Sequence, residues 1–181
     1  MRHCTVCGAQ TRPLVPPGDG RARAVCGNCG AIQYDNPKIV VGCIARSGSS
    51  VLLCRRAIEP RYGTWTLPAG FMENGESTAD GAARETREEA GAQVTDLSPY
   101  MLIDVPDVNQ VHLFFLARLN DTGFEIGEES LEARLFTEKQ IPWPELSFPT
   151  VITALRQYFV DQSSGIKTFH HRVISRSARG G

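Results

Sequence analysis

The sequence lacks any apolar run that approaches the roughly 18 residues needed for a membrane-spanning helix. Its first residues, Met-Arg-His-Cys, lead directly into polar residues and prolines, so a recognisable signal-peptide segment is also missing. These absences predict a cytoplasmic protein that has no membrane partner.

The chain also lacks a strong overall charge. Its formal net charge over 181 residues is −1, so it offers no general field that would attract a nucleic-acid backbone. Hydrophobic residues make up 41% and charged residues 22%, which is typical of a globular protein. We therefore expect one sizeable core and one small extra module, and we do not expect nucleic acid as a partner.

The cysteines follow a pattern that favours a metal site over disulfides. Two Cys-x2-Cys pairs are separated by 18 residues and consist of Cys4, Cys7, Cys26 and Cys29. Together they supply four thiolates for a closed, tetrahedral Zn²⁺ site of the structural kind. Two disulfides, or His3 in place of one thiolate, are the alternatives. About 36 residues bury too little apolar surface to fold alone, so we predict a zinc ribbon over residues 1–36.

Beyond residue 36 the pattern predicts an α/β domain over residues 37–165. Strand candidates lie at 38–45, 51–55, 94–105, 111–119 and 131–136, and the first two are predicted to form a hairpin. A helix at 149–160 is indicated by an apolar stripe that begins after a proline.

Cys43 and Cys54 fall within predicted strands, where a free cysteine usually serves as a small core residue. His112 lies in an apolar strand and is also predicted to be interior.

The last twenty residues contain no acid, and their bases are Lys167, Arg172, Arg176 and Arg179. We expect residues 166–181 to form a solvated basic tail, with attraction of an anionic substrate as the alternative. No specific role is expected for His170 or His171. For Arg55, Arg56 and Arg61, the alternatives are pairing with phosphate and ordinary surface exposure.

The segment 69–92 reads AGFMENGESTADGAARETREEAGA and predicts one helix over residues 77–90. Ser77 followed by Asp80 is typical of a capping box, and Gly91 suits the end of a helix. One face carries several alanines and Gly81, which favours close packing of this helix against a sheet.

The same predicted helix carries an unusual cluster of acids. Glu85 precedes Glu88 and Glu89 by three and four residues, so three carboxylates should meet near the C-terminal end. Repulsion between them, and the negative end of the helix dipole, make this arrangement unfavourable. A bound divalent cation would reverse the cost. Arg84 lies one turn before Glu88 and is expected to neutralise part of the cluster.

These residues resemble a known motif, the Nudix box. The sequence satisfies all seven fixed positions of that motif as Gly70-x5-Glu76-x7-Arg84-Glu85-x2-Glu88-Glu89-x-Gly91. The resemblance implies an α/β/α sandwich with a mixed sheet. It also implies that Mg²⁺ or Mn²⁺ is held by Glu85, Glu88, Glu89 and the carbonyl of Ala69. Gly70, Glu76, Arg84 and Gly91 would support the motif.

Two further details follow from the resemblance. Glu129, within the acidic stretch 128–132, is similar to a late ligand or general base of relatives, and the alternative is that these acids merely solvate a loop. Thr86 and Ala92 stand where the family usually has bulky aliphatic residues, which affects packing and leaves the proposed ligands intact.

A zinc ribbon directly before such a domain is similar to two groups of Nudix enzymes. The pieces NPKIVVGC, LLCRR, WTLPAG and ESLEARLF resemble the group close to plant-type FAD and ADP-ribose pyrophosphatases. The NADH pyrophosphatases carry a Ser-Gln-Pro-Trp-Pro-Phe-Pro stretch that is absent from residues 93–115. The resemblance therefore implies hydrolysis of a small nucleoside diphosphate compound, FAD or ADP-ribose first, by a homodimer. A nucleotide sensor without catalysis and an NADH pyrophosphatase are the alternatives.

Overall fold

The computed structural model describes residues 2–166 and 168–175, which separate into two compact units after Pro37. The first unit contains a three-stranded antiparallel sheet made of β1 (Thr11–Leu14), β2 (Arg23–Cys26) and β3 (Ile32–Gln33). Prolines and glycines occupy the connection between β1 and β2, where they prevent a helix from forming.

The second unit is built on a mixed sheet between two helices, as the resemblance to the Nudix box implied. Its strands are β4 (Lys38–Ser47), β5 (Ser50–Arg56), β6 (Trp65–Thr66), β7 (Ala69–Phe71), β8 (Val94–Val105), β9 (Gln110–Leu119), β10 (Ser130–Phe136) and β11 (His170–Val173). The main path of the sheet runs β10-β5-β4-β9-β8-β11, with β4–β9 and β8–β11 parallel. The helices are α1 (Thr78–Ala90) and α2 (Pro149–Ser164).

The sheet divides between β4 and β5. These strands pair directly only at their hairpin end, where Ser47 is opposite Ser50. Farther along, β6 pairs with β5 and β7 pairs with β4, so the chain between them fills the gap. Gly42 on β4 permits this approach, because a Cβ atom there would lie 2.6 Å from the carbonyl oxygen of Pro68. The divided sheet brings the segment before α1 into the middle of the fold.

Each face of the sheet has its own apolar core. On the α2 side, Trp65 packs edge-on against Phe136 at 4.9 Å between ring centroids, and Leu155 of α2 is fully buried. On the α1 side, Ala82 and Ala90 are fully buried in a second cluster that also contains Cys43 and Cys54. The expectation that both cysteines are small core residues is confirmed.

Small residues bring α1 close to the sheet. A Cβ atom on Gly81 would lie 3.0 Å from Cγ2 of Val41, so the close approach predicted from this face is confirmed. The predicted ends of α1 are confirmed as well, because Ser77 and Asp80 form a capping box and Gly91 adopts a left-handed conformation with φ 64°. Within the described part of the chain, no helix is both long and apolar enough to cross a membrane.

Residues 170–173, within the predicted basic tail, form a strand that the sequence did not predict. They form β11, which pairs in parallel with β8. His170 Nε2 lies 2.6 Å from the buried carboxylate of Asp161, and His171 Nε2 lies 2.8 Å from Asp104. These pairings connect the last strand to α2 and β8. Of the basic residues predicted in the tail, Lys167, Arg176 and Arg179 lie outside the described residues.

Candidate active site

The four cysteines of the first unit converge on one point. All four Sγ atoms lie within 4.8 Å of one another, with Cys4–Cys29 at 3.7 Å and Cys7–Cys26 at 3.5 Å. These distances are far too long for disulfides, in which sulfurs are about 2.05 Å apart. A tetrahedral Zn²⁺ with Zn–S bonds of about 2.3 Å separates its sulfurs by roughly 3.8 Å, so the arrangement fits a structural zinc site.

Local backbone geometry prepares one of these thiols for metal binding. The backbone N–H groups of Cys29 and Asn28 donate to Sγ of Cys26 and lower the pKa of that thiol to about 6. Because a thiolate is the form that binds zinc, these N–H groups favour the ligating state of Cys26.

The second unit contains an open cleft of about 760 Å³ at the division in its sheet. It lies where the C-terminal half of α1, the strand β7, the start of β9 and the amino end of α2 approach one another. Side chains of the acidic cluster line one part of it, and the rest includes Arg56, Phe71, Gln110, His112, Phe148 and Thr150. The cleft has room for a nucleotide-sized ligand.

Arg84 organises the acidic wall. Its guanidinium donates from Nη1 to Glu85 at 2.8 Å and to Glu88 at 2.9 Å. Nε and Nη2 donate to the two oxygens of Glu76 at 3.0 and 2.9 Å, and these hydrogen bonds lower the pKa of Glu76 to about 2. Glu76 also accepts from the backbone N–H of Glu73 at 2.7 Å. Arg84 therefore fixes the loop before α1 relative to the acids on the helix.

Glu89 is the most deeply buried acid of the cluster, with 7% of its surface exposed. Burial, followed by repulsion from Glu85, raises its pKa to about 8, although the N–H of Ala69 donates to it at 3.5 Å. Burial also raises the pKa of Glu85. A buried carboxylate is costly unless it is paired or coordinates a metal, so a bound cation would stabilise the ionised form of Glu89.

The structure does not bring Glu85, Glu88 and Glu89 as close together as the four thiols. Over residues 2–166 and 168–175, the cysteines alone form a group of three or more metal-binding side chains with ligand atoms mutually within 4.8 Å. Repulsion between carboxylates and the engagement of Glu85 and Glu88 by Arg84 account for the wider spacing. The donors are all oxygen, which is the chemistry that Mg²⁺ and Mn²⁺ prefer, so the residues fit such an ion.

Glu129 lies on the loop that precedes β10, and its side chain is exposed at the rim of the cleft. Its charge contributes to the raised pKa of both Glu85 and Glu89, which places it near them. The backbone holds it in place, because its carbonyl accepts from the N–H of Ala57 at 2.8 Å. The adjacent Glu128 lines the same cleft.

Sequence reasoning did not predict how the loop before Glu129 packs on the end of α1. The N–H of Glu125 donates to the carbonyl of Ala90 at 3.0 Å. A Cβ atom on Gly127 would overlap the carbonyl oxygen of Glu88. The glycine at position 127 was the available signal, since a backbone that approaches a helix end so closely requires a residue without a side chain.

His112 was predicted to be interior. It is partly buried and lines the wall of the cleft. Its Nε2 lies 2.9 Å from Oε1 of Gln110, and burial lowers its pKa to about 4. Of the aromatic residues nearby, Phe71 lines the cleft, whereas Trp65 is buried in the α2-side core. Arg56 also lines the cleft, and Arg55 and Arg61 do not.

Comparisons with known proteins agree with this architecture. The family model described as the NUDIX domain matches residues 36–155, and the model described as Nudix N-terminal matches residues 2–35. A crystal structure of a Nudix hydrolase from Nitrosomonas europaea superposes with a TM-score of 0.93 at 44% identity, covering 97% of this chain and 100% of the other.

The curated relatives carry several named activities, and one of them is the 8-oxo-dGDP phosphatase NUDT18 of Danio rerio, which is 36% identical over 107 residues, covering 56% of this chain and 32% of the relative. The NAD-capped RNA hydrolase NudC of Vibrio vulnificus is 28% identical over 163 residues, covering 86% of this chain and 58% of the relative. The ADP-ribose pyrophosphatase of Methanocaldococcus jannaschii is 26% identical over 113 residues, covering 60% of this chain and 67% of the relative. The chain spans only 32% to 34% of the length of several of the curated relatives that it matches.

Proposed function

The chain belongs to the Nudix family, and we propose that it is a Mg²⁺- or Mn²⁺-dependent pyrophosphohydrolase that cleaves a nucleoside diphosphate derivative. The observation that carries this proposal is the placement of three glutamates of one helix on a cleft of about 760 Å³. Glu89 is buried there with 7% exposure, beside Glu85 and Glu88. A bound cation would neutralise these carboxylates and attract an anionic diphosphate.

The oxygens of Glu85, Glu88 and Glu89, with the carbonyl of Ala69, would hold the metal. When bound, the ion would neutralise the diphosphate and lower the pKa of a water molecule. The protein's own part is to orient these ligands. Arg84 restrains Glu85 and Glu88 by hydrogen bonds, and its contacts with Glu76 connect them to the loop before α1.

We propose Glu129 as the general base. Its carboxylate would take a proton from the attacking water as the oxygen bonds to phosphorus. The bond between that phosphorus and the bridging oxygen would break, giving two monophosphates. Exposure at the rim of the cleft and proximity to Glu85 and Glu89 support this role.

The test is hydrolysis of a substrate panel with Mg²⁺ by single-site variants. Glu88→Gln and Glu89→Gln should each lower kcat about 100-fold or more while the thermal unfolding curve stays cooperative, because the ligand set would be incomplete. Glu129→Gln should lower kcat by at least about tenfold, and Glu128→Gln serves as the matched control. Near-normal turnover by both Glu88→Gln and Glu89→Gln would defeat the mechanism.

FAD and ADP-ribose are the favoured substrates. The resemblance of the ribbon-plus-domain arrangement to plant-type FAD and ADP-ribose pyrophosphatases supports this choice, as does the ADP-ribose pyrophosphatase among the relatives. NADH is the second candidate, because the NudC relative, which is named for hydrolysis of NAD-capped RNA, aligns over 86% of this chain. The absence of the Ser-Gln-Pro-Trp-Pro-Phe-Pro stretch from residues 93–115 disfavours it.

A panel of FAD, NADH, ADP-ribose, coenzyme A and diadenosine compounds ranks these substrates by kcat/KM. Binding of ADP-ribose without turnover on any compound would favour the nucleotide-sensor alternative. We also propose that the chain is a homodimer with one structural Zn²⁺ per subunit. Light scattering coupled to size-exclusion chromatography, together with elemental analysis, tests both statements.

A further inference from the structure

The cleft is strongly acidic, so an anionic diphosphate would need a positively charged side chain in order to bind there. The acids that line the cleft are Glu59, Glu73, Glu85, Glu88, Glu89, Glu128 and Glu129, and among the described residues the arginines that line it are Arg56 and Arg84. Arg84 is engaged by three glutamates and is largely buried, with 16% of its side chain exposed. Arg56 is therefore the cation of the cleft that is available to an anionic ligand.

Arg56 is held in a defined position and makes no direct ion pair with a carboxylate among the described residues, although its charge acts on the nearby Glu89. Its Nε donates to the carbonyl of Pro60 at 2.9 Å, and its guanidinium carbon lies 5.3 Å from the ring centroid of Phe148. The backbone contact and the aromatic ring orient the guanidinium while leaving its terminal nitrogens for another acceptor.

Phe148 connects this arginine to the amino end of α2. Phe148 is the N-cap residue of that helix and makes no side-chain capping hydrogen bond, and Pro149 follows as the first helical residue. Thr150 and Val151, in the first turn, both line the cleft. The first N–H groups of a helix have no partner within it and carry a partial positive charge, so this end favours an anion.

The hydroxyl of Thr150 gives independent evidence of a ligand. Thr150 is buried, with 4% exposure, and its Oγ1 has no hydrogen-bond partner within the described part of the chain. A buried hydroxyl without a partner destabilises a fold, and a hydrophobic residue of the same shape would avoid that cost. An orphaned donor that borders a cleft is explained if a bound molecule accepts its hydrogen bond.

We propose that the Thr150 hydroxyl, the amino end of α2 and Arg56 form a phosphate-binding subsite in the same cleft as the glutamate cluster. The inference rests on the proposed function and assigns one phosphate of the substrate to this subsite. The glutamates and their metal would then contact another part of the diphosphate. Such a division gives the substrate a fixed direction in the cleft, because its two ends meet unlike surroundings.

Calorimetric titration of the zinc-loaded full-length protein with ADP, in the absence of other divalent ions, tests the subsite. Arg56→Gln should weaken ADP binding about tenfold or more, since it removes the charged hydrogen bonds. The matched control is Arg55→Gln, because Arg55 is an exposed neighbour whose Nε also donates to a carbonyl and which does not line the cleft. Equal affinities of the Arg56→Gln variant and the unaltered protein would overturn the proposal.

Thr150 allows a sharper test, because Val has nearly the same shape and Ser keeps the hydroxyl. Thr150→Val should weaken ADP binding about three- to tenfold, whereas Thr150→Ser should stay close to the unaltered protein. Thr150→Val should also leave the melting temperature of the free protein unchanged or higher, since no internal hydrogen bond is lost. A lower melting temperature with unchanged ADP affinity would show that the hydroxyl is structural and would overturn the assignment.

Comparison of the ADP titrations with the turnover assays distinguishes failure of the subsite from failure of the proposed hydrolysis. If Glu88→Gln and Glu89→Gln turn over substrate normally while Thr150→Val and Arg56→Gln lose ADP affinity, the subsite stands and the glutamate mechanism fails. If the glutamate variants lose turnover while Thr150→Val and Arg56→Gln bind ADP as tightly as the unaltered protein, the mechanism stands and the subsite fails.

Discussion

Gly70 and Glu85 fit together without room for a single additional carbon atom. A Cβ atom on residue 70 would overlap the carboxylate of Glu85. Gly70 belongs to β7 and pairs with Val41 of β4. This pairing keeps its backbone from moving away from Glu85. Glu85 lies on α1, whose distance from the sheet is set by Gly81 and its small neighbours. The position of this carboxylate is thus determined from two sides.

We expect Gly70→Ala to lower activity by displacing the Glu85 carboxylate, with a loss of kcat on the order of tenfold to 100-fold. The fold should persist, because the flexible end of a glutamate side chain can move. Steady-state kinetics with ADP-ribose or FAD, together with thermal unfolding, provide the measurement. The control is Gly123→Ala, since a Cβ atom there meets nothing within 4 Å. Equal kcat values for Gly70→Ala and Gly123→Ala would contradict the steric argument.

The cysteine cluster predicts that metal is required for folding of the first unit. Cys26→Ser, or removal of zinc by a strong chelator, should unfold residues 2–37, because this short segment buries little apolar surface without its ligands. Amide NMR spectra should lose the dispersed signals of that unit. Elemental analysis should find about one zinc per chain before treatment. Dispersed signals that survive in a metal-free sample would rule out this dependence.

The features that the sequence predicted well depend on neighbouring residues. The capping box of Ser77 and Asp80 and the left-handed Gly91 require contacts within a few residues, so their spacing alone indicates the ends of α1. The cysteine pairs are similar, because each Cys-x2-Cys knuckle is a local turn. The contact of Arg84 with Glu88 also follows from one helical turn.

The features that the sequence could not predict depend on the three-dimensional path of the chain. Thr150 has an orphaned hydroxyl only because α2 begins at the cleft, and nothing near it in sequence indicates this. His170 was expected to have no role, yet it meets Asp161 because β11 pairs with a strand almost seventy residues earlier. For Arg55, Arg56 and Arg61 the sequence left open whether each pairs with phosphate, and of these three only Arg56 lines the cleft.

Asp161 joins three side chains in a buried network that holds β11. Tyr100 donates to its Oδ2 at 2.8 Å, Gln157 donates to Oδ1 at 2.8 Å, and His170 lies 2.6 Å from Oδ2. Burial acts to raise the pKa of Asp161, but the hydrogen bonds from these three residues outweigh it and hold the pKa below its ordinary value. The ionised form is therefore the one that stabilises the fold, and this contribution is lost as the pH falls through the folded-state pKa.

Asp161→Asn should lower the free energy of unfolding by roughly 1–3 kcal/mol at neutral pH, since it removes charge-assisted hydrogen bonds in a buried position. Urea denaturation measures the change. The comparison variant is Asp96→Asn, whose partner Arg118 lies 2.8 Å away while both side chains are about two-thirds exposed. That exposed pair should contribute less than about 1 kcal/mol. Equal losses in the two variants would argue against the special position of Asp161.

His112 should make stability depend on pH in the mildly acidic range. Its pKa is about 4 in the folded protein, because burial disfavours the charged ring, against 6.5 as the ordinary value. Between these values the unfolded chain binds more protons, so stability should fall as the pH is lowered from 6.5 towards 4. His112→Phe should make this decline shallower, because phenylalanine does not titrate. Urea denaturation at several pH values gives the two slopes, and parallel curves would show that His112 does not contribute.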